Sequence, residues 1–433
     1  MKLKFKIPTR WLSLLLVLLP LQNALAVLEI QITKGGEGGI PIAIVPFGAG
    51  VAGASQVGSD IAGIVSADLA RSGRFDSLPE NDMLERPSDI AAVQYNNWRV
   101  LNIQNLVIGK AVPLEEGWLS VEFRLLDALN QSQLMGEVFR VATKDVRNVA
   151  HHISDLIFEK LTGVRGAFST KIAYVSANQG SYRLIVADAD GFAPRTVLES
   201  KEPIMSPAWS PDGRKIAYVS FEKKRSEVYV QDLFTGSRKR ISSSQGINGA
   251  PAWSPNGRYL AITLSKPGNP EIFIMDVQTE KLTRVTNNFA IDTEAAWAPD
   301  GSRILFTSDR GGKPQLYEMN PDGGGVKRVT YEGEYNARGS YSADGKFITM
   351  VQGGNNQYRI AIMEIKTGNV TILSDGPLDE SPSFAPNGAM ILYGSESSNR
   401  SILAAASSDG RVSQELSSNE GGIREPSWGP YVK

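Results

Sequence analysis

The chain has 433 residues, of which 42% are apolar and 21% charged, with a formal net charge of −1. This is an ordinary soluble globular composition for two or three domains or one large all-β fold. There is no cysteine and there are only 2 histidines, which excludes thiol nucleophiles, disulfides and thiolate metal sites and leaves little for imidazole chemistry.

The first 26 residues have the pattern of a secretory signal peptide. Four basic residues precede an apolar run at 11–21, and Ala24 and Ala26 supply the small residues of a cleavage site after Ala26. The run is too short to span a bilayer as an anchor. We expect an exported protein of the periplasm or the medium. The mature chain would carry a formal charge of −5 and no basic patch for nucleic acid or anionic membranes.

Residues 27–164 predict an α/β domain, because helical and strand patterns mix there without any repeat. The first expected elements are a strand at 40–47, a helix capped by Ser59 or Asp60 and ended by Gly73, and a helix from near Ser88. Strands near 104–112, 118–127 and 133–142 follow, and then a helix at 144–161 and a linker at 162–166. Ahead of them, residues 27–39 hold three alternating apolar positions and a glycine cluster. This segment is either a flexible arm or an edge strand.

Two features of this domain could suggest chemistry, and we interpret both as structural. Gly48, Gly50 and Gly53 match G-x-G-x-x-G, but six residues separate the last glycine from the expected helix cap, so a dinucleotide would not lie on a helix N-terminus. His151 and His152 are adjacent on the last helix, pointing away from its apolar face. Adjacent helical histidines do not readily share a metal, and we expect both on a solvated surface.

The C-terminal two thirds of the chain are a repeat. Aromatic residues of a W-S-P-D-G type segment recur at intervals of 44, 44, 44, 43 and 44, at Trp209, Trp253, Trp297, Tyr341, Phe384 and Trp428. Each copy predicts a strand, a tight turn with glycine in the left-handed position, and three further short strands. Four strands per repeat of this length is typical of a β-propeller blade.

The ends of the repeat predict how the ring closes. The strand KIAYVS occurs at 171–176 without a leading W-S-P-D-G segment, whereas the chain ends in such a segment around Trp428 with nothing after it. The two halves therefore complete one blade, and we predict an α/β N-terminal domain followed by an all-β six-bladed propeller at 165–433. Closure by the C-terminal strand would bury an otherwise exposed edge.

Just before each repeated aromatic, the innermost strand begins at one mouth of the channel. The residues expected there include Asn248, Thr293, Glu294, Arg338 and Glu380. This mixed polar ring suits a peptide or protein partner or a cation, and the alternative is a solvated channel lining.

The combination of features resembles the TolB family, the periplasmic components of the Tol–Pal system of Gram-negative bacteria. The resemblance is carried by the signal peptide, the strand PIAIVPF, the segment DIAGIVSADLARSGRFDSL (60–78) and the six W-S-P-D-G blades. It implies that a propeller mouth binds the peptidoglycan-associated lipoprotein Pal. The positions carried over to the Pal-binding mouth are Ile247, Asn248, Ala250, Thr293, Glu294, Asn336, Arg338, Asp379 and Glu380.

The resemblance also implies that the N-terminal arm binds the C-terminal domain of the inner-membrane protein TolA. The carried-over arm residues are Val27, Leu28, Glu29, Ile30, Gln31, Ile32, Thr33 and Lys34. Two departures affect the exact contacts: Ile247 stands where the family can carry a histidine, and the arm is richer in glycine and carries Lys34.

The implied function is that of a periplasmic scaffold without catalysis, cofactor or metal, which supports outer-membrane integrity, cell division, protein import and bacteriocin transport. Outer-membrane proteins and colicin segments are further partners that the resemblance leaves open; neither nucleic acid nor a membrane-spanning segment is expected. The alternatives are a secreted propeller hydrolase or dehydrogenase with a channel active site, and a periplasmic adaptor for another partner. We further hypothesise that arm docking and mouth occupancy are coupled, and coupling of this kind is reciprocal.

Overall fold

A short strand and an α/β domain come first in the computed structural model, which describes residues 28–34, 38–49, 55–397, 399–417 and 421–431. The predicted signal peptide at 1–26, Val27 and the segments 35–37 and 50–54 lie outside the described residues. In chain order the first elements are β1 (Glu29–Lys34), β2 (Ile40–Ile44), β3 (Gly48–Ala49), α1 (Ser55–Arg71), β4 (Phe75–Ser77), α2 (Tyr95–Val100), β5 (Asn105–Pro113), β6 (Trp118–Asp127), β7 (Ser132–Ala142) and α3 (Val146–Thr162). Short 3-10 turns lie at Glu80–Asp82, Ile90–Ala92 and Thr143–Asp145.

One mixed sheet is the centre of this domain. Its strands lie in the order β4-β2-β5-β6-β7, with β3 also paired to β5. β2 is parallel to β4 and β5, whereas β5, β6 and β7 are antiparallel. Alternate residues of β6 are buried because they face the helices. On that face α1 and α3 pack around Ile61, Val65 and Ile153, and Trp98 of α2 lies in the core of the opposite face.

Two sequence predictions about α1 and its surroundings were wrong in position. The helix begins at Ser55, and Asp60 is no cap but accepts a hydrogen bond from Gln56 Nε2 at 2.8 Å on the helix surface. The predicted spacing of six residues between the last glycine of the G-x-G-x-x-G motif and the helix, which argued against a dinucleotide site, is therefore wrong as well. Near Ser88 there is only a 3-10 turn capped by Asp89, and α2 starts later. The predicted last helix of the domain is confirmed as α3, which ends at Thr162 and is followed by Gly163 with φ of 75°.

The propeller follows the linker with six blades. Blade 1 contains β8 (Lys171–Asn178), β9 (Ser181–Asp188) and β10 (Arg195–Ser200), together with the last strand of the chain, β31 (Gly422–Trp428). Blades 2 and 3 contain β11 (Ile204–Trp209), β12 (Lys215–Ser220), β13 (Glu227–Asp232) and β14 (Arg238–Ser242), and β15 (Asn248–Trp253), β16 (Tyr259–Leu264), β17 (Glu271–Asp276) and β18 (Leu282–Arg284), respectively. Blades 4, 5 and 6 contain β19 (Asp292–Trp297), β20 (Ile304–Ser308), β21 (Gln315–Met319) and β22 (Lys327–Arg328); β23 (Tyr335–Tyr341), β24 (Phe347–Gly354), β25 (Gln357–Glu364) and β26 (Val370–Ile372); and β27 (Glu380–Phe384), β28 (Met390–Ser397), β29 (Arg400–Ser407) and β30 (Ser413–Ser417).

The predicted closure of the ring is confirmed. β31 is the innermost strand of blade 1 and pairs antiparallel with β8, with Trp428 opposite Ile172. Two of the repeated tryptophans also join neighbouring blades: Trp209 Nε1 donates to the carbonyl of Ser427 at 3.1 Å, and Trp297 Nε1 donates to that of Ala252 at 3.2 Å. These contacts give a physical reason for the tryptophan at this point of the repeat.

The W-S-P-D-G turns are held by their own serine and aspartate. In blade 2, Ser210 Oγ donates to Asp212 Oδ1 at 2.6 Å and accepts from the backbone nitrogen of Lys215 at 2.8 Å. Gly213 follows with φ of 69°, a left-handed conformation that glycine adopts without steric cost. The motif therefore specifies a turn, which closes the first two strands of the blade.

Candidate functional site

The two ends of the propeller channel differ in what lies against them. Each innermost strand starts at one end, the mouth, and runs to its tight turn at the other, the turn end. The N-terminal domain contacts the turn end at blades 6 and 1. Gln414 Nε2 of blade 6 donates to the carbonyl of Arg71 at 2.6 Å, and Asp190 of blade 1 pairs with Arg147. The mouth faces solvent, and it is the mouth that carries the predicted binding residues.

Six equivalent residues line the channel in a left-handed backbone conformation that the sequence did not reveal. Their φ angles lie between 45° and 55°, and each sits at a bulge where the register of the innermost strand shifts. They are Ser206, Ala250, Glu294, Arg338, Ser381 and Glu425. Together with their neighbours, Thr293 among them, they line a cavity of about 350 Å³. The bulges re-aim one side chain per blade into the channel.

Three of these side chains form a charged cluster across the channel. Arg338 Nε lies 3.0 Å from Glu294 Oε1, and its backbone nitrogen donates to Glu294 Oε2 at 3.0 Å. Arg338 Nη1 lies 3.9 Å from Glu425 Oε2, which also accepts from the backbone nitrogen of Ser206 at 3.1 Å. Burial raises the pKa of Glu425, against the charge of Arg338, which lowers it. Glu380 adds a further negative charge nearby, so carboxylates outnumber the guanidinium.

Three residues predicted at the Pal-binding mouth are buried, and their side chains bond within the propeller. Asn248 and Asn336 are fully buried and Asp379 is 1% exposed. Asn248 Oδ1 accepts from Ser242 Oγ at 2.7 Å, and Asp379 Oδ1 accepts from Ser395 Oγ at 2.5 Å. These side chains bond to the loops that lead into the innermost strands of blades 3, 5 and 6, because a buried amide or carboxyl needs hydrogen-bond partners.

An apolar rim surrounds the polar channel at the mouth. Its side chains lie at or just before the start of an innermost strand, on the connections between blades. They are Met205, Ile247, Phe289, Ile291, Tyr331 and Leu378. Phe289 is 90% exposed and Tyr331 is 73% exposed. Of these only Ile247 was among the predicted Pal-binding positions. The signal available for those on the connections was a large apolar residue where a polar one would be expected.

The described residues of the arm form a strand docked on the propeller. Of the two predicted forms, a flexible arm and an edge strand, they adopt the edge strand. β1 pairs antiparallel with β30 and becomes the fifth strand of blade 6, with Ile30 opposite Leu416. Leu28 is 4% exposed and packs among residues of blades 1 and 6. Lys34 Nζ donates to the carbonyl of Gly410 at 2.7 Å. Exposed side chains of the strand are Gln31, Ile32, Thr33 and Lys34.

The histidine prediction was wrong for one of the two residues. His152 is exposed, but His151 is only 2% exposed, because α1 and the turn between β9 and β10 cover that side of α3. Both histidines of the chain thus lie on α3 and none in the channel. Within the described ranges, no cluster of three or more aspartate, glutamate or histidine side chains is arranged to hold a metal ion. The helices of these ranges include none that is long and apolar enough to cross a membrane.

Comparison with known proteins identifies close relatives over nearly the whole chain. Residues 158–432 match the TolB beta propeller domain, and residues 28–134 match the TolB amino-terminal domain. The Tol-Pal system protein TolB of Methylobacillus flagellatus is 55% identical over 94% of this chain and 93% of that protein. That of Nitrosococcus oceani is 53% identical over 97% of each. The crystal structure of TolB from Acinetobacter baumannii superposes with a TM-score of 0.87 at 44% identity, covering 93% of this chain and 100% of that one.

Proposed function

The chain belongs to the TolB family, and from this premise we propose that it is a periplasmic binding scaffold of the Tol–Pal system. In this proposal the mouth of the propeller binds the lipoprotein Pal and the arm binds the C-terminal domain of TolA. The scaffold would thereby support outer-membrane integrity and envelope constriction during cell division. The relatives are named as Tol-Pal system proteins and not as enzymes, which supports a binding role.

One observation carries the assignment of the mouth: a charged channel surrounded by exposed apolar side chains, at the end that the N-terminal domain leaves open. Folded partners dock best where a few large side chains are surrounded by polar groups. The proposed contacts combine the rim, above all Phe289 and Tyr331, with Glu294, Arg338 and Glu380 at the channel. Asn248, Asn336 and Asp379 would contribute only by holding the connections in place.

The docked strand supports the proposal for the arm. Among the described residues β1 is paired along one edge, and its exposed side chains Gln31, Ile32 and Thr33 would be available to a second partner. An extended segment that adds to the edge of a sheet in one protein can add to another sheet by the same backbone hydrogen bonds. The arm would then exchange between blade 6 and TolA. The basic and apolar leader at 1–26 supports delivery of the protein to the periplasm.

The test of the mouth is a titration of purified Pal against the mature protein and its variants. Phe289→Ser removes the most exposed apolar side chain of the rim, and we expect about tenfold weaker Pal binding, since a central aromatic contributes about 1.4 kcal/mol or more. The substitution leaves the channel cluster untouched, so thermal unfolding should not change.

The matched control is Phe234→Ser, because Phe234 is 71% exposed on a connection at the turn end. Its Pal affinity should equal that of the unmodified protein. Equal Pal affinity of Phe289→Ser and the unmodified protein, or a loss with Phe234→Ser alone, would contradict docking at the mouth.

A further inference from the structure

Two buried carboxylates flank the imidazole of His151 at the junction between the N-terminal domain and the propeller. His151 Nδ1 lies 2.7 Å from Asp68 Oδ2 on α1. Its Nε2 lies 3.6 Å from Asp190 Oδ2, which belongs to the turn between β9 and β10 of blade 1. Asp68 is fully buried and Asp190 is 9% exposed. A single imidazole therefore stands between the two parts of the molecule.

Each carboxylate has its own guanidinium partner. Arg71 of α1 pairs with Asp68, and Arg147 of α3 pairs with Asp190. Ser154 Oγ also donates to Asp68 Oδ2, at 2.7 Å. With a neutral imidazole the charges of these two pairs cancel, so a proton on the imidazole brings a new positive charge into a compact and buried group.

The two nitrogens of His151 have different surroundings. Nδ1 faces a carboxylate oxygen and so carries a proton, while Nε2 has no hydrogen-bond partner among the described residues. In the neutral form the Nε2 lone pair faces the carboxylate of Asp190, and in the protonated form an N–H faces it. Burial alone would lower the pKa of His151, but the hydrogen bond and charge of Asp68, with the charge of Asp190, raise it; Arg147 opposes this. Asp155, on the next turn of α3, adds a carboxyl near Asp68.

The turn that carries Asp190 also covers the arm. Gly191, the next residue, has φ of 80°, and a Cβ placed on it would lie 2.4 Å from Leu28 Cβ. Asp190 Oδ1 accepts from the backbone nitrogen of Phe192 at 3.1 Å, and the guanidinium of Arg147 lies 4.0 Å from the Phe192 ring centroid. The turn is therefore a rigid unit, seated on the buried residue that leads into β1.

We propose that His151 is a positioning residue for the arm: its protonation ties the Asp190 turn to α3 and so retains Leu28 and β1 on the propeller. The inference rests on the proposed function of the arm and deepens it, since it concerns when the arm is available. Opening of the arm can nevertheless be measured without any partner.

The direction of the pH effect follows from the charges. When the turn opens, Asp190 moves away while Arg147 stays on α3, so the pKa of His151 is higher with the arm docked than with it open. Protonation thus favours the docked state at low pH, and this contribution is lost as pH rises through the raised pKa of His151. Each unit of pKa difference between the two states changes the docking equilibrium about tenfold.

The experiment is amide hydrogen exchange of the arm, residues 29–34, in the mature full-length protein from about pH 5.5 to about pH 8.5, corrected for the intrinsic rates. We expect protection of the arm to fall severalfold as pH rises. Its midpoint should match the titration of His151, followed in parallel by NMR, which is simple in a chain with 2 histidines.

Matched variants separate positioning from folding. His151→Gln should abolish the pH step, whereas His152→Gln, at the exposed neighbour, should retain it. Asp190→Asn leaves the contact between His151 and Asp68 in place, and it should shrink the step while His151 still titrates. This variant also serves if His151→Gln does not fold.

A native arm whose protection is independent of pH would overturn the inference, and so would a pH step that survives in both His151→Gln and Asp190→Asn. The same experiment tests the proposed function of the arm independently of His151. If TolA does not bind the arm but protection of the arm still depends on pH, the role of His151 stands and the TolA assignment is wrong. If TolA binds the arm but its protection does not depend on pH, the TolA assignment stands and the role of His151 is wrong.

Discussion

The mouth and the turn end of the propeller are built from the same six repeats but present different surfaces. At the mouth, Arg338 is shared by Glu294 and Glu425 inside the channel, and exposed side chains such as Phe289 surround it. At the turn end, Gln414 of blade 6 and Asp190 of blade 1 are bonded to the N-terminal domain. The difference shows that the blade geometry is common to both ends, whereas their surface chemistry depends on the few side chains that break the repeat and on what covers them.

The largest effect is expected from removing the central charge of the mouth. Arg338→Ala leaves the buried Glu425 without its cation, and we expect a loss of about 3 kcal/mol in the free energy of unfolding at neutral pH. Because the pKa of Glu425 is already raised, the loss should shrink as pH falls and Glu425 is protonated. Urea unfolding at two pH values measures both.

Its control is Lys239→Ala, since Lys239 and its partner Glu280 are both more than half exposed. An exposed pair contributes little, so this variant should lose less than about 1 kcal/mol at either pH. A pH-independent loss in Arg338→Ala would mean that the cluster does not act through charge.

A smaller effect is expected at the turn end, where the domains meet. Gly73 follows α1 with φ of 67°, and a Cβ on it would lie 2.0 Å from Val412 Cγ2 in blade 6. Gly73→Ala should therefore push the domains apart and lower stability by about 2 kcal/mol in all, more than the backbone strain alone. Gly236→Ala has the same sign of φ, 71°, with open space around it, and it isolates the strain. Equal loss in both variants, by calorimetry, would show that the contact with Val412 is easily relaxed.

The smallest expected effect is a change in Pal affinity when the arm is removed. Deleting residues 27–34 removes β1 from blade 6, whose innermost strand begins at Glu380 at the mouth. We expect TolA binding to be lost and Pal affinity to change about fivefold. Ile32→Ser is the matched control: Ile32 is 44% exposed on the docked strand, so this variant should weaken TolA binding alone. An unchanged Pal dissociation constant after the deletion would refute coupling between arm and mouth.

Much of the fold could be predicted because repetition and turn chemistry are local properties of a sequence. The spacing of Trp209, Trp253 and Trp297 indicated the blades, and the unmatched halves around Lys171 and Trp428 indicated the closure. The candidate site was predicted less well. The sequence placed Glu294 and Arg338 in the channel, but Asn248, which was also predicted there, is buried in its own loop. The rim residue Phe289 was not predicted, because the exposure of a loop residue depends on the packing of the whole ring.

The amino-acid sequence by itself determined the six blades, their turns, the closing strand and the α/β domain ahead of them, because periodic apolar patterns and Ser-x-Asp-Gly turns act within a few residues of each other. Only the tertiary structure decided that the N-terminal domain lies on the turn end, that β1 completes blade 6 and that His151 is buried between two carboxylates. These contacts join residues that are distant in sequence, such as Asp68 with His151 and Leu28 with Gly191, and no local pattern records them.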